Sequence, residues 1–144
     1  MTRAINKLVV HCSDSSYGDA ALIREWHLKR GFRDIGYHYV ILNCYPSWKS
    51  FSDERPEPDR DGKIEKGRPL DQEGAHVRGY NADSIGICLI GKQSFTGAQL
   101  RTLRHLIRRL HLQYPGIMIY GHRELDSKKT CPNISPDWIR SLLN

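Results

Sequence analysis

The apolar positions of this chain fall into short runs and stripes separated by turn-forming residues, and each carries the period of one kind of element. Leu8-Val9-Val10 is an apolar run leading straight into His11, and residues 84–91 are the most apolar stretch of the chain. A continuous apolar run of strand length signals burial on both faces, so residues 5–11 predict a buried strand and residues 84–91 a central one. Ile117-Met118-Ile119-Tyr120 predicts another short buried strand, ending just before His122. Residues 36–42 are aromatic and β-branched, which predicts a strand with Tyr37 and Tyr39 on one face and His38 on the other. Residues 63–68 follow the turn Arg60-Asp61-Gly62 and read as a short edge strand.

Helical spacing appears elsewhere. Asp19 is placed to cap a helix over residues 20–30, with Leu22, Ile23 and Trp26 on one side, cations in the last turn and Gly31 as its stop. His27 lies within it and reads as a hydrogen-bonded structural histidine. Thr96 and Gln99 form a capping-box pattern heading a second helix that runs to Gln113. Its expected buried stripe is Leu100, Leu103, Ile107 and Leu110, and its other face carries Arg101, Arg104, Arg108 and Arg109. That face is either plainly solvated or a polyanion-binding surface. Ser135 or Asp137 opens a last short helix through Trp138 and Leu142.

Two segments lack periodicity. Residues 43–59, with Pro46, Pro56 and Pro58, read as a surface excursion, and residues 74–81 as a structured loop whose glycines permit tight turns near a ligand. Strands alternate with helices throughout, so the expected fold is α/β (α+β): one domain over residues 1–144, with a central mixed sheet of about five strands flanked by helices in three layers.

Composition narrows the partners. The chain has 144 residues, 39% hydrophobic and 26% charged, which suits a single core. Its formal net charge of +6 favours an anionic partner, whether nucleic acid, a membrane surface or an acidic wall polymer, without choosing among them. No run approaches the ~20 apolar residues of a membrane span, and residues 1–7 lead into no long apolar core of the signal-peptide kind. Synthesis and folding in a cytoplasm are therefore expected. In that compartment Cys12, Cys44, Cys88 and Cys131 are expected as thiols rather than disulfides. Cys88 lies inside the apolar strand, and Cys12 should point away from His11, so both are read as core.

The chemistry concentrates between Gly121 and Pro132, where Gly-His-Arg-Glu-Leu-Asp-Ser-Lys-Lys-Thr-Cys-Pro brings together an imidazole, ammonium groups and a thiol. Neutral imidazole and thiolate are both good zinc ligands, and His122 with Cys131 makes half of a tetrahedral site. His11, at the end of another strand, is a third candidate from a distant part of the chain. Three protein ligands with one open position describe a catalytic zinc, whereas a structural zinc would want four. Taken one at a time, the same residues also fit hydrogen-bonded histidines and a small buried cysteine.

Several short motifs occur together and in order: Val10-His11-Cys12, Gly36-Tyr37-His38-Tyr39, Gly79-Tyr80-Asn81 followed by Ser84-Ile85-Gly86, and Gly121-His122-Arg123 with Lys129-Thr130-Cys131-Pro132. This set resembles the zinc-dependent type 2 N-acetylmuramoyl-L-alanine amidases, above all the short phage lysozymes that are chemically amidases. Peptidoglycan recognition proteins are more distant relatives. The likeness runs from about Ile5 to Trp138. It implies one zinc ion held by His11, His122 and Cys131, with Tyr37 and Lys129 catalytic and Lys128 as the register alternative. It further implies that His76 and Asn81 line the substrate cleft, and that the bond cleaved joins N-acetylmuramic acid to L-alanine in bacterial peptidoglycan.

A phage endolysin of this kind would act as a monomer, reaching the wall from the cytoplasm through a pore-forming partner. Residues 43–59 look longer than the matching turn of the compact phage members. Two other readings stand beside the enzyme. One is a non-catalytic peptidoglycan-binding module, against which the presence of Cys131 counts. The other is a regulatory protein that binds nucleic acid or a polymerase through the basic helix, which predicts binding that falls steeply with salt.

Overall fold

The structure is a computed structural model that describes residues 3–144, so Met1 and Thr2 at the start of the stretch before the first strand lie outside it. In chain order the elements are β1 (Lys7–Cys12), α1 (Ala20–Lys29), β2 (Tyr39–Ile41), α2 (Trp48–Ser52), β3 (Ile64–Lys66), β4 (Ser84–Leu89), α3 (Gly97–Gln113), β5 (Met118–Gly121), α4 (His122–Leu125) and α5 (Pro136–Ser141). The strands form one sheet in the order β3-β2-β4-β1-β5. The pairs β2·β4, β4·β1 and β1·β5 are parallel, and β3 closes one edge antiparallel to β2. The expected mixed α/β sheet with flanking helices is thus the observed one.

Alternation along the strands sorts residues between two cores. Leu8 and Val10 of β1, Tyr39 and Ile41 of β2, and Ile85, Ile87 and Leu89 of β4 pack against Leu103, Leu106, Ile107 and Leu110 of α3 and Ile139 of α5. On the opposite face Val40, Leu42, Cys88 and Ile90 meet Ile23 of α1 and Ile35. Each such aliphatic side chain contributes roughly 1.5–3 kcal/mol on full burial. Both long helices begin as expected: the Asp19 carboxylate accepts from the Leu22 N–H at 2.8 Å, and Thr96 and Gln99 form the reciprocal box at the head of α3. Gln99 is itself buried, and its Nε2 donates to the carbonyls of Ile41 and Ile90, so the cap also fastens α3 to the sheet.

Four details differ from the sequence reading. The α3 stripe includes Leu106, whereas Leu100 is half-buried. β5 is an edge strand, which leaves Met118 56% exposed. The excursion at residues 43–59 contains α2 and a 3-10 turn over Pro58–Arg60. Finally, β2 starts at Tyr39, and Tyr37 lies on the α1 face while Tyr39 lies on the α3 face. The cause is local. The Gly36 carbonyl is taken by the Ala75 N–H (3.0 Å), and the Gly86 N–H donates instead to Nδ1 of the His38 ring (3.0 Å). A side chain thereby replaces a backbone partner, and the alternation breaks at His38.

The topology also explains where a ligand can sit. The chain leaves β1 through α1 toward β2 and leaves β4 through α3 toward β5. The neighbouring strands β1 and β4 therefore send their connections to opposite sides, and a crevice opens at their carboxyl ends.

Candidate metal centre

His11 follows Val10 on β1, so alternation turns it to the α1 face, where it is 1% exposed. β5 runs parallel beside β1 with Val10 opposite Gly121, which delivers His122 next to His11. The two Nδ1 atoms face each other at 3.0 Å across 111 positions of sequence. The loop after α4 then returns. The Arg123 N–H donates to the Cys131 carbonyl at 2.8 Å, and the Cys12 N–H donates to Cys131 Sγ at 2.9 Å. A Cβ at Gly121 would lie 3.0 Å from Pro132 Cδ, so the glycine is what lets the Cys131-Pro132 segment close over the end of β5. One donor atom each from His11, His122 and Cys131 lies within 4.8 Å of the others. Two imidazole nitrogens and a sulfur converging in this way fit zinc by donor type and by number.

Electrostatics support the same use. Burial, reinforced by the neighbouring imidazoles of His76 and His122, holds His11 well below the ordinary histidine range, so it keeps a free lone pair. His122 is lowered by burial, with the ammonium of Lys129 pushing the same way. The facing Cys12 thiol and burial raise the Cys131 thiol. A bound cation would oppose that, since metal binding deprotonates a coordinating thiol.

His76 stands behind His11, with Nδ1 2.8 Å from His11 Nε2 and Nε2 3.2 Å from Ser84 Oγ. For His11 to present Nδ1 as a lone pair, its proton must sit on Nε2 and be donated to His76, the arrangement that fixes ligand tautomers in metal sites. Burial keeps His76 neutral, with its pKa lowered to about 3. Its ring lies over Gly86, where a Cβ would come within 2.7 Å of it. Asn81 Oδ1 accepts from the N–H groups of His76 and Val77 at 2.9 and 2.8 Å, which orders the loop that carries His76. Both residues border the cleft.

Tyr37 places its ring centroid 5.0 Å from that of His11. Burial raises its phenol far above the usual range, with the sulfurs of Cys88, Cys131 and Cys12 acting the same way, so it keeps its proton and can donate it in a hydrogen bond. Lys128 and Lys129 both border the cleft. Of the two lysines, Lys129 is the one whose charge acts on His122, against a larger opposing effect of the Asp126 carboxylate.

The cleft has a volume of about 660 Å³, and its walls include Asp14, Arg30, Phe32, Arg78 and Asn133, which the sequence reading did not single out. Arg30 was legible only as a helix-end cation, and nothing in the local sequence marked Arg78. Cys88 is core as expected. Cys12 is buried, yet its sulfur faces the cleft beside Cys131, with Asn133 Nδ2 at 3.7 Å, so it is a wall residue as well. All four cysteines are free thiols. His27 accepts from the Gly36 N–H at 2.9 Å, the structural role expected of it. The α3 arginines lie away from the cleft, and Arg108 spends its guanidinium on the carbonyls of Leu142 and Asn144. No helix among the described residues is long and apolar enough to cross a membrane.

Comparison with known proteins bears on this geometry. Residues 1–134 match the family described as N-acetylmuramoyl-L-alanine amidase. The chain is 34% identical over 139 residues to the endolysin of Klebsiella phage KP32, covering 89% of this chain and 80% of that one. It is 34% identical over 137 residues to the endolysin of Escherichia phage T7, covering 88% and 79% respectively. Among solved structures, the N-acetylmuramoyl-L-alanine amidase LysC from Clostridium intestinale superposes with a TM-score of 0.81 at 28% identity, over 99% of this chain and 87% of that one.

Proposed function

The chain belongs to the N-acetylmuramoyl-L-alanine amidase family, and from that premise we propose that it is an endolysin in which His11, His122 and Cys131 hold one zinc ion beside the peptidoglycan amide to be cleaved. The observation that carries this is the convergence of one donor atom each from His11, His122 and Cys131 within 4.8 Å, from β1, α4 and the loop beyond it. When bound, zinc supplies Lewis acidity that polarises an amide carbonyl and makes water a competent nucleophile near neutral pH.

The chain's own residues supply the rest. His76 takes the Nε2 proton of His11 in a hydrogen bond and so aims Nδ1. The protonated Tyr37 hydroxyl and the Lys129 ammonium are donors for the oxyanion that develops on the amide, or for the departing amine. Asn81 keeps the His76 loop in place. Arg30, Arg78 and Lys128 add positive charge to the cleft wall, which complements an anionic wall polymer. The enzyme works as a monomeric single domain on the wall, which it reaches from the cytoplasm through a pore-forming partner. The non-catalytic alternative on this fold is disfavoured by the complete ligand trio.

The test is mass spectrometry of purified peptidoglycan after digestion. Stem peptides with a free L-alanine amino group and glycan strands with intact glycosidic bonds are expected, and the products should vanish on chelation and return with added zinc. Cleaved glycosidic bonds, or full activity without metal, would contradict the proposal.

A further inference from the structure

The loop after β1 and the excursion at residues 43–59 build a second surface that the amide chemistry leaves unused. Tyr17 is its centre, with ring centroids 6.2 Å from Trp26, 5.9 Å from Trp48 and 6.3 Å from Phe51. Tyr45 extends the cluster by an edge-to-face contact with Phe51 at 5.4 Å. Trp48 is 61% exposed, Phe51 is 37% exposed, and none of the residues of α2 is buried. The reciprocal Ser47 and Ser50 cap nevertheless gives α2 a defined shape. An ordered helix that holds aromatic rings in water, without feeding the core, marks an interaction surface.

The polar chemistry narrows the ligand. A groove of about 420 Å³ runs between α1 and α2, walled by Tyr17, Leu22, Trp26 and Trp48 and edged by Asp19 and Glu25. Its charged walls among the described residues are carboxylates, on a chain whose net charge is +6. With no lysine or arginine among the described residues of its lining, the groove offers no cation to an anionic lipid surface or a nucleic acid. Asp19 uses Oδ1 to cap α1 and Oδ2 toward Arg60 at 3.4 Å, and Glu25 pairs with Lys29 at 3.4 Å on the surface. Both carboxylates retain acceptor capacity for hydroxyl donors. Flat aromatic faces beside carboxylate acceptors suit a neutral sugar, whose C–H faces pack on the rings while its hydroxyls donate to the acids.

One short loop joins the groove to the cleft along the chain. Asp14 borders the cleft and Tyr17 the groove. The loop between them is tied to the excursion by Asn43 Nδ2 donating to the Ser16 carbonyl (2.9 Å) and the Gly18 N–H donating to the Tyr45 carbonyl (2.8 Å). We propose that the Tyr17–Trp48 groove is a saccharide subsite that binds N-acetylated hexosamine units of the glycan strand at a distance from the amide being cleaved. This deepens the amidase reading and rests on it.

The experiment titrates the full chain with a tetramer of N-acetylglucosamine, which has the sugar chemistry but no stem peptide to cleave, while indole signals are followed by NMR and assigned with Trp48→Ala. The Trp48 signal should shift, and Tyr17→Ala, or Trp48→Ala followed through Trp26, should weaken binding about tenfold. Trp48→Ala should also lower activity on insoluble walls several-fold while leaving hydrolysis of a soluble single-sugar muramoyl peptide unchanged. Trp48 stands out in solvent, and a thermal melt confirms that the variant folds. A Trp48 signal that the tetramer leaves unmoved overturns the proposal. So does a shift with anionic vesicles alone, or a variant equally impaired on soluble and insoluble substrates. Failure of the amidase reading itself would look different: wild-type protein would leave the soluble muramoyl peptide intact whatever the sugar titration gave.

Discussion

The two faces of the sheet are cut from the same strands yet serve opposite ends. On the α3 face, Leu8, Val10, Ile85, Ile87 and Leu89 meet an unbroken apolar stripe, and the result is a core. One residue along, the same strands present His11, Gly86 and Cys88 to the α1 face, where α1 contributes the buried Ile23 to a much smaller cluster. Beside that cluster Tyr37, His76, His122 and Cys131 line the cleft, with His11 buried behind them. The contrast teaches that alternation along a strand can assign packing to one side and chemistry to the other, with groups on the second side both rigidly held and reachable.

The separation can be tested by attacking each face in turn. Chelation, or Cys131→Ser, removes several kcal/mol of transition-state stabilisation and should cut the amidase rate on the order of 10³-fold, with the far core intact by circular dichroism. Ile107→Ala on the α3 side should do the reverse, costing ~2–5 kcal/mol in a denaturant titration while the folded fraction keeps its specific activity. If the core variant lost zinc, or the ligand variant unfolded the chain, the two faces would not be separable. Within the cleft, Lys129→Ala should lower kcat about 10²-fold, the loss expected for one oxyanion donor. Lys128→Ala should leave kcat near the wild-type value, and the opposite ranking would reassign the lysine. Smaller still, His76→Ala should weaken zinc affinity ~10–100-fold in competition with a chromophoric chelator. Unchanged affinity would make His76 a wall residue rather than the group that aims His11.

Much of this was legible in the chain because apolar runs and strand-end histidines are local signals. Residues 84–91 announced the central strand, and the late His-Lys-Cys loop together with His11 announced three donor groups that the fold brings within 4.8 Å of one another. What stayed hidden depends on contacts between distant segments. Tyr37 was expected on the same face as Tyr39 because nothing local reveals that the His38 ring takes the Gly86 N–H and ends the ladder. Leu106 was omitted and Leu100 included because the phase of a helix against its sheet is set by packing. Arg30 and Arg78 become cleft walls only when the end of α1 and the His76 loop face each other. The aromatic excursion read as irregular because the Tyr17–Trp48 and Tyr17–Phe51 contacts join two separate loops.

The central claim is that two imidazoles and one thiolate share a single cation. X-ray absorption at the zinc edge of zinc-loaded protein tests it most directly. The account predicts one sulfur at about 2.3 Å and nitrogen or oxygen neighbours at about 2.0–2.1 Å, with the sulfur lost in Cys131→Ser. A zinc shell without sulfur, or protein that takes up no zinc while still releasing L-alanine peptides, would contradict it.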